Sequence, residues 1–250
     1  MAIVKASPEA QLRLLELADI DAELGRIAHR RRGLPEHAEI IRLESRGTEL
    51  RDAVAALTAQ SSDLSREQAK AEADVEQVRS RIDRDRQRLD GGMISSPKEL
   101  ENLQSEIQSL QRRQSDLEEI VLDVMERRET TQANLESATT ERASIDAELE
   151  AAVAARDAAL AELDEQAGKA GARRAQVAEA VPGDLVDLYD KLRAQHGGVG
   201  AAALRLRRCQ GCNLTLNTVD LNAIRAAPED EVLRCEECRR ILVRTSESGL

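Results

Sequence analysis

The chain has 250 residues, 33% of them charged, and Tyr189 is its single aromatic side chain. Because large rings supply much of the buried area in compact cores, this composition excludes an ordinary globular core and favours long helices with narrow apolar seams. The net charge is −11, and the ten acidic and ten basic side chains after Pro182 cancel, so the preceding part carries all of it. No domain therefore shows the basic excess that is usual for duplex binding.

The first predicted element is a helix. Ser7-Pro8-Glu9-Ala10 is typical of a helix start with Pro just inside, and apolar residues follow at heptad spacing from Leu17. Pro35 lacks a backbone donor and crowds the preceding turn. The sequence therefore predicts a break or kink near residues 33–36.

Two longer heptad patterns follow, over residues 43–89 and 100–163. Between them, Asp90-Gly91-Gly92 predicts a stop and a turn near Met93, within residues 90–96. The short turn and the matched arms predict an antiparallel hairpin within one chain. The alternative is a parallel coiled coil formed by two separate chains.

We thus predict a mainly α fold in two domains. A long, kinked antiparallel coiled-coil hairpin occupies residues 1–182 and ends at Val181-Pro182-Gly183. A short helix and a small zinc-ribbon domain occupy residues 183–250. We expect the hairpin and the ribbon to bury separate cores, and we expect the protein to be a monomer or a weak dimer.

The four cysteines form two C-x2-C pairs, Cys209/Cys212 and Cys235/Cys238, separated by twenty-two residues. Each pair can wrap a tight turn around one metal ion, and two such turns give a tetrahedral four-thiolate site. Soft thiolates in this array select zinc. Four protein ligands leave no position for water, so we predict one structural Zn²⁺. A redox dithiol of the thioredoxin type would need a βαβ setting that the sequence lacks.

Short elements are predicted around these cysteines. Strands are predicted before and after each cysteine pair, and the last of these strands is Ile241 to Val243. Between the pairs, Thr218 is expected to cap a short helix that ends before Pro228. Before the first pair, Asp184 to Gln195 is predicted as a helix with an apolar face.

Specific motifs lie between Tyr189 and Val243. They are Tyr189-Asp-Lys-Leu-Arg193, Gly197-Gly198-Val199, Cys209-Gln-Gly-Cys212, Leu216, Ile224-Arg225 and Cys235-Glu-Glu-Cys238-Arg-Arg-Ile-Leu242. With the long heptad region, the chain resembles bacterial zinc-ribbon proteins of the four-cysteine type that carry an N-terminal coiled-coil hairpin. The family usually has Gly after the fourth cysteine, where a left-handed backbone is useful, whereas this chain has Arg239.

The resemblance implies an adapter or chaperone-like protein. Described relatives bind an alternative sigma factor and secretion components, and one is implicated in binding a flagellin messenger RNA. We therefore expect a non-enzymatic role in protein–protein interaction, linked to transcription or secretion, with a partner that the sequence does not identify.

The alternative function is RNA or DNA binding through a basic face of the ribbon. The residues that would form it are Arg205, Arg207, Arg208, Arg225, Arg239 and Arg240, with Arg234 and Arg244 nearby. Acidic residues 229–231, 236 and 237 lie close to them in sequence. The ribbon also lacks an aromatic side chain on which a base could stack.

No enzyme is expected. The sequence contains no P-loop, no G-x-G-x-x-G and no H-E-x-x-H motif, and His29, His37 and His196 are scattered. The N-terminus lacks the apolar run of a signal peptide, and no stretch approaches a membrane span. We accordingly expect a cytoplasmic protein with no membrane insertion.

Overall fold

The computed structural model describes residues 4–92, 94 and 96–250, so the predicted turn centre, Met93, lies outside the described residues. The helices and strands, in chain order, are α1 Pro8–Arg32, α2 Pro35–Asp90, α3 Pro97–Glu179, α4 Gly183–Gln195, β1 Ala201–Arg205, β2 Arg208–Cys209, α5 Thr218–Ala226, β3 Leu233–Arg234 and β4 Ile241–Val243. The mainly helical fold with a small C-terminal ribbon is confirmed. Among the described helices, none has the length and apolarity needed to cross a membrane.

The predicted kink is a complete break between α1 and α2. Ser7 caps α1 by accepting a hydrogen bond from the Ala10 N–H at 3.2 Å. At the other end, the Gly33 N–H donates to the His29 carbonyl at 3.1 Å. Pro35 then begins α2, where its missing N–H costs nothing because the first helical amides have no partner within the helix.

The chain forms two compact units: residues 38–153, the coil unit, and residues 1–37 with 154–250, the ribbon unit. In the coil unit, Arg46 contacts Glu141, whereas Arg81, farther along α2, contacts Glu106, earlier in α3. This reversed order makes the two helices antiparallel. The side chains buried along their apolar seam include Leu43, Leu50, Leu64, Ala71, Ile82, Leu103, Ile107, Leu117 and Val124.

The ribbon unit contains a four-stranded sheet in the order β2-β1-β4-β3. β1 runs antiparallel to β2 and parallel to β4, and β4 runs antiparallel to β3. Alternate residues of a strand point to opposite faces, so Ala201 and Ala202 belong to different cores. The face with Ala202 packs with the cysteines and with α5.

The other face of the sheet shares a core with three helices. Ala201, Ile241 and Val243 belong to one apolar cluster, and the helices contribute Leu17 from α1, Val177 from α3 and Leu185 from α4. The expectation that the helices and the ribbon bury separate cores is therefore wrong. The cause is that both faces of the sheet are covered: one face packs with the cysteines and α5, and the other packs with helices. The predicted boundary at residues 182 and 183 lies within the ribbon unit.

A buried polar network joins α1, α3 and α4 in the ribbon unit. The Asp21 side chain is 0% exposed and accepts hydrogen bonds from the Tyr189 hydroxyl at 2.7 Å and from the Arg174 Nε at 2.8 Å. The Arg193 guanidinium lies 3.1 Å from the same carboxylate. Burial, assisted by the bond to Asp21, raises the pKa of Tyr189 well above its usual range. The single aromatic residue is thus held as a neutral donor.

Candidate metal centre

The four cysteines are brought together at one point of the ribbon. Their sulfur atoms all lie within 4.8 Å of one another. The Cys209 and Cys238 sulfurs are 3.8 Å apart, and the Cys212 and Cys235 sulfurs are 3.9 Å apart. A tetrahedron with Zn–S bonds of about 2.3 Å has sulfur–sulfur edges of roughly 3.8 Å. The donor set and its spacing therefore fit zinc.

The two cysteine turns have the same backbone design. The Asn213 N–H donates to the Cys209 carbonyl at 2.8 Å, and the Arg239 N–H donates to the Cys235 carbonyl at 2.8 Å. Asn213 has φ 61 and Arg239 has φ 60. Both residues directly follow the second cysteine of a pair and lie in the left-handed region, so Arg239 adopts there a conformation that Gly adopts more readily.

The environments of the thiols differ. Burial raises the pKa of Cys209 to about 12 and also raises the pKa of Cys235. Burial acts in the same direction on Cys238, but hydrogen bonds from the backbone and side chain of Arg240 and from the Cys235 and Cys209 side chains together outweigh it, so the pKa of this thiol is lowered. Because zinc binds thiolates, a bound cation would stabilise the charge that burial disfavours at Cys209 and Cys235.

Arg240 binds the backbone around the first cysteine pair. Its guanidinium donates to the carbonyls of Val199 at 3.0 Å, Gly211 at 3.2 Å and His196 at 2.9 Å. A Cβ at Gly211 would lie 2.9 Å from the Arg240 Cδ, so only glycine lets this side chain approach so closely. Arg240 therefore holds the turn at Cys209 and Cys212 against the chain that enters the ribbon.

The β1–β2 turn, residues 205–208, forms an exposed ribbon tip. Leu206 has φ 46 and Arg207 has φ 63, and Leu206 is 77% exposed. Positive φ is unusual for bulky residues and costs roughly 1–2 kcal/mol each. The tip is held by hydrogen bonds from the Leu206 N–H to the Glu247 carbonyl and from the Arg207 N–H to the Ser248 carbonyl, both at 2.8 Å.

The arginines predicted to contact nucleic acid have several different environments. Arg205 pairs with Glu247, and Arg239 pairs with Glu236 at 3.1 Å. Arg240 is half-buried on the backbone carbonyls given above. Three remain exposed with no ion pair to a described residue, namely Arg207, Arg208 and Arg225. Their contact with nucleic acid stays a prediction.

Two family models match the chain. Residues 17–197 match the CT398-like coiled coil hairpin domain, and residues 208–242 match the C4-type zinc ribbon domain. An uncharacterized protein of Mycobacterium tuberculosis strain H37Rv is 40% identical over 241 residues, which cover 96% of this chain and 98% of that protein. An uncharacterized protein of Mycobacterium leprae is 31% identical over 223 residues, which cover 88% of this chain and 94% of that protein.

Solved structures show the same architecture. A protein from Mycobacterium smegmatis superimposes with a TM-score of 0.82 at 40% identity, covering 96% of this chain and 100% of that one. The CT398 protein from Chlamydia trachomatis superimposes with a TM-score of 0.70 at 18% identity, covering 95% of this chain and 98% of that one. At the latter identity the likeness concerns the fold alone.

Proposed function

Because this chain belongs to the CT398-like coiled-coil hairpin family and carries a C4-type zinc ribbon, we propose that it is a non-enzymatic adapter whose ribbon binds a protein partner. The observation that carries this proposal is the ribbon tip, where Leu206 is 77% exposed in a left-handed backbone. Strained residues persist where the surrounding structure enforces them, and they concentrate at binding sites.

The surroundings of the tip support a rigid apolar contact. Leu214, whose carbonyl accepts from the Cys209 N–H at 3.0 Å, is 49% exposed. A fixed backbone lowers the entropy lost on association, and exposed leucines supply area that a partner can bury. One structural Zn²⁺ on Cys209, Cys212, Cys235 and Cys238 would keep this part of the ribbon rigid. We further propose a cytoplasmic role connected to transcription or secretion.

RNA or DNA binding by the same tip is the second candidate function. Arg207 and Arg208 are exposed beside Leu206, and Arg225 is exposed on α5. Phosphate contacts would use these side chains. The ion pairs of Arg205 and Arg239 and the carbonyl contacts of Arg240 reduce the basic face that the sequence suggests. For this reason we favour binding of a protein partner over binding of nucleic acid.

A tagged pull-down from native cytoplasm, with and without nuclease, tests the adapter proposal. The test variant is Leu206→Glu, and the matched control is Val219→Glu, because Val219 is equally exposed at 77% but lies on α5. We expect recovered proteins to persist after nuclease, to be lost with Leu206→Glu and to be retained with Val219→Glu. Equal recovery with both variants would contradict the proposal.

The nucleic-acid alternative has its own test. The double variant Arg207→Glu and Arg208→Glu should weaken binding of a single-stranded RNA or DNA and flatten its salt dependence, because two phosphate contacts would be lost. Filter binding at two salt concentrations measures both effects. Unchanged binding would contradict the proposal that the ribbon tip binds nucleic acid.

A further inference from the structure

The coil unit exposes apolar side chains outside its seam. On α3, Leu117 and Val124 lie in the seam and are buried, while Leu122 is 59% exposed and Met125 is 39% exposed. In a two-stranded coil the positions of Leu122 and Met125 normally face solvent and are polar. These two residues are three apart, so they share one face of the helix. Nothing in the hairpin seam requires them to be apolar.

These side chains border a groove between α2 and α3. One part of the groove, about 290 Å³, is lined by Val75 of α2 and by Val121 and Leu122 of α3. The neighbouring part, about 460 Å³, lies one helical turn farther along and includes Met125. Together they form the α2–α3 groove. It follows α3 from Glu118 to Glu136, a length of roughly 27 Å at 1.5 Å per residue.

The rim of the α2–α3 groove is acidic. Glu72 and Glu118 border its first part, and Glu129 and Glu136 border its second part. Arg128 is the basic residue among the lining side chains, and it donates to the Gln68 side chain at 2.9 Å. The floor of the first part is apolar, and Met125 and Ala133 continue it into the second part beside Gln68 and Gln132. An apolar strip between carboxylates is complementary to a segment with apolar residues on one face and basic residues beside them.

We propose that the α2–α3 groove binds a basic amphipathic helix of a protein partner. The inference rests on the adapter function and supplies the chemistry of a partner segment. Two neighbouring helices leave a groove into which a third helix can place apolar residues at i, i+3, i+4 and i+7. Lysine or arginine on the flanks of that helix then meets the rim carboxylates. Methionine at the site adapts its shape to the incoming side chains.

A second copy of this chain fits the groove less well. Residues 63–76 and 116–136 together carry twelve acidic and four basic side chains. In a two-fold symmetric dimer, equivalent surfaces meet, so the acidic rims would face each other. Like charges placed opposite each other oppose association. A partner of opposite charge avoids this repulsion.

The test uses a fluorescein-labelled 20-residue peptide of Leu, Ala and Lys, with Leu along one helical face. Its binding to the full-length protein is measured by fluorescence anisotropy. We expect saturable binding that weakens with salt and that Leu122→Glu or Met125→Glu reduces by about tenfold or more, because an apolar contact is replaced by a buried charge. Ile41→Glu is the matched control, since Ile41 is 66% exposed on α2 outside the groove.

Four outcomes would overturn the proposal. They are the absence of saturable binding, equal losses with Leu122→Glu and Ile41→Glu, equal binding of a peptide with Glu in place of Lys, and sedimentation that shows a wild-type dimer dissociated by Leu122→Glu. The last outcome would assign the groove to a second copy. If the peptide does not bind the groove but the pull-down still recovers proteins through Leu206, the adapter function is supported and only the groove proposal is contradicted. If the pull-down also shows no dependence on Leu206, both proposals are contradicted.

Discussion

The coil unit and the ribbon unit bury apolar side chains in different ways. The coil unit has a single seam between two helices, with exposed ion pairs such as Arg46–Glu141 and Arg127–Glu67 beside it. The ribbon unit has apolar clusters on both faces of a sheet, a buried network around Asp21 and four converging cysteines. A destabilising substitution in the coil unit should therefore have a local effect. In the ribbon unit, the loss of stability should extend to the other elements that share its core.

Loss of the metal should have the largest effect. In the double variant Cys235→Ser and Cys238→Ser, we expect the sheet to unfold and α1 and α4 to lose stability, because Ile241 and Val243 belong to their core. Zinc contributes about 10–16 kcal/mol in isolated zinc-finger peptides. Circular dichroism melting and limited proteolysis measure the loss. A chelator should reproduce it in the wild type and change nothing in the variant, and an unaltered melt would contradict the shared core.

Removal of the buried carboxylate should come next. Asp21→Asn leaves Arg174 and Arg193 facing an uncharged group, and we expect it to lower the free energy of unfolding by about 3 kcal/mol. Asp190→Asn is the control, because that side chain is 43% exposed, and it should cost less than about 1 kcal/mol. Urea unfolding compares the two. If both variants lose the same free energy of unfolding, the stabilisation that Asp21 provides does not depend on its burial.

Arg240→Lys should have a smaller effect. A lysine ammonium cannot reproduce the planar set of donors that binds the carbonyls of His196, Val199 and Gly211, so we expect a loss of about 2 kcal/mol and faster release of zinc. A colorimetric chelator follows the release. Arg239→Lys, in an exposed ion pair with Glu236, should leave the rate unchanged. If both variants release zinc equally fast, Arg240 does not hold the cysteine turn.

Tyr189→Phe should cost the least, about 1 kcal/mol at neutral pH, because it removes one hydrogen bond. The folded pKa of Tyr189 is raised by burial and by the bond to Asp21. Its contribution should thus be fully present below the unfolded pKa of about 10 and decrease as pH rises further. Urea unfolding of both proteins from pH 7 to pH 11 measures this. A wild-type advantage that grows above pH 10 would contradict the raised pKa.

Local patterns were sufficient to predict some features. Pro35 indicated the break between α1 and α2, and the two C-x2-C pairs indicated the cysteine site. The sequence also predicts the helix after the first pair, but its predicted cap is wrong: Asn217, rather than Thr218, accepts a hydrogen bond from the Asp220 N–H at 2.8 Å. Adjacent Asn and Thr are both good caps, so the pattern alone could not choose between them.

Contacts between residues that are distant in the chain could not be predicted from the sequence. Asp21, Arg174 and Tyr189 meet only because α1, α3 and α4 pack together, and in the sequence Asp21 is one of many acids on a helix. The parallel pairing of β1 with β4 likewise joins strands separated by α5. The one available signal was Tyr189 itself, since a lone aromatic in an aromatic-free chain indicates a special environment.

Hydrogen–deuterium exchange with and without a zinc chelator tests most directly whether a metal-dependent core is confined to the ribbon unit. After zinc is removed, the account predicts loss of amide protection in β1, β4, α1 and α4 and retained protection in residues 38–153. Retained protection in α1 and α4, or equal loss of protection in the coil unit, would contradict it.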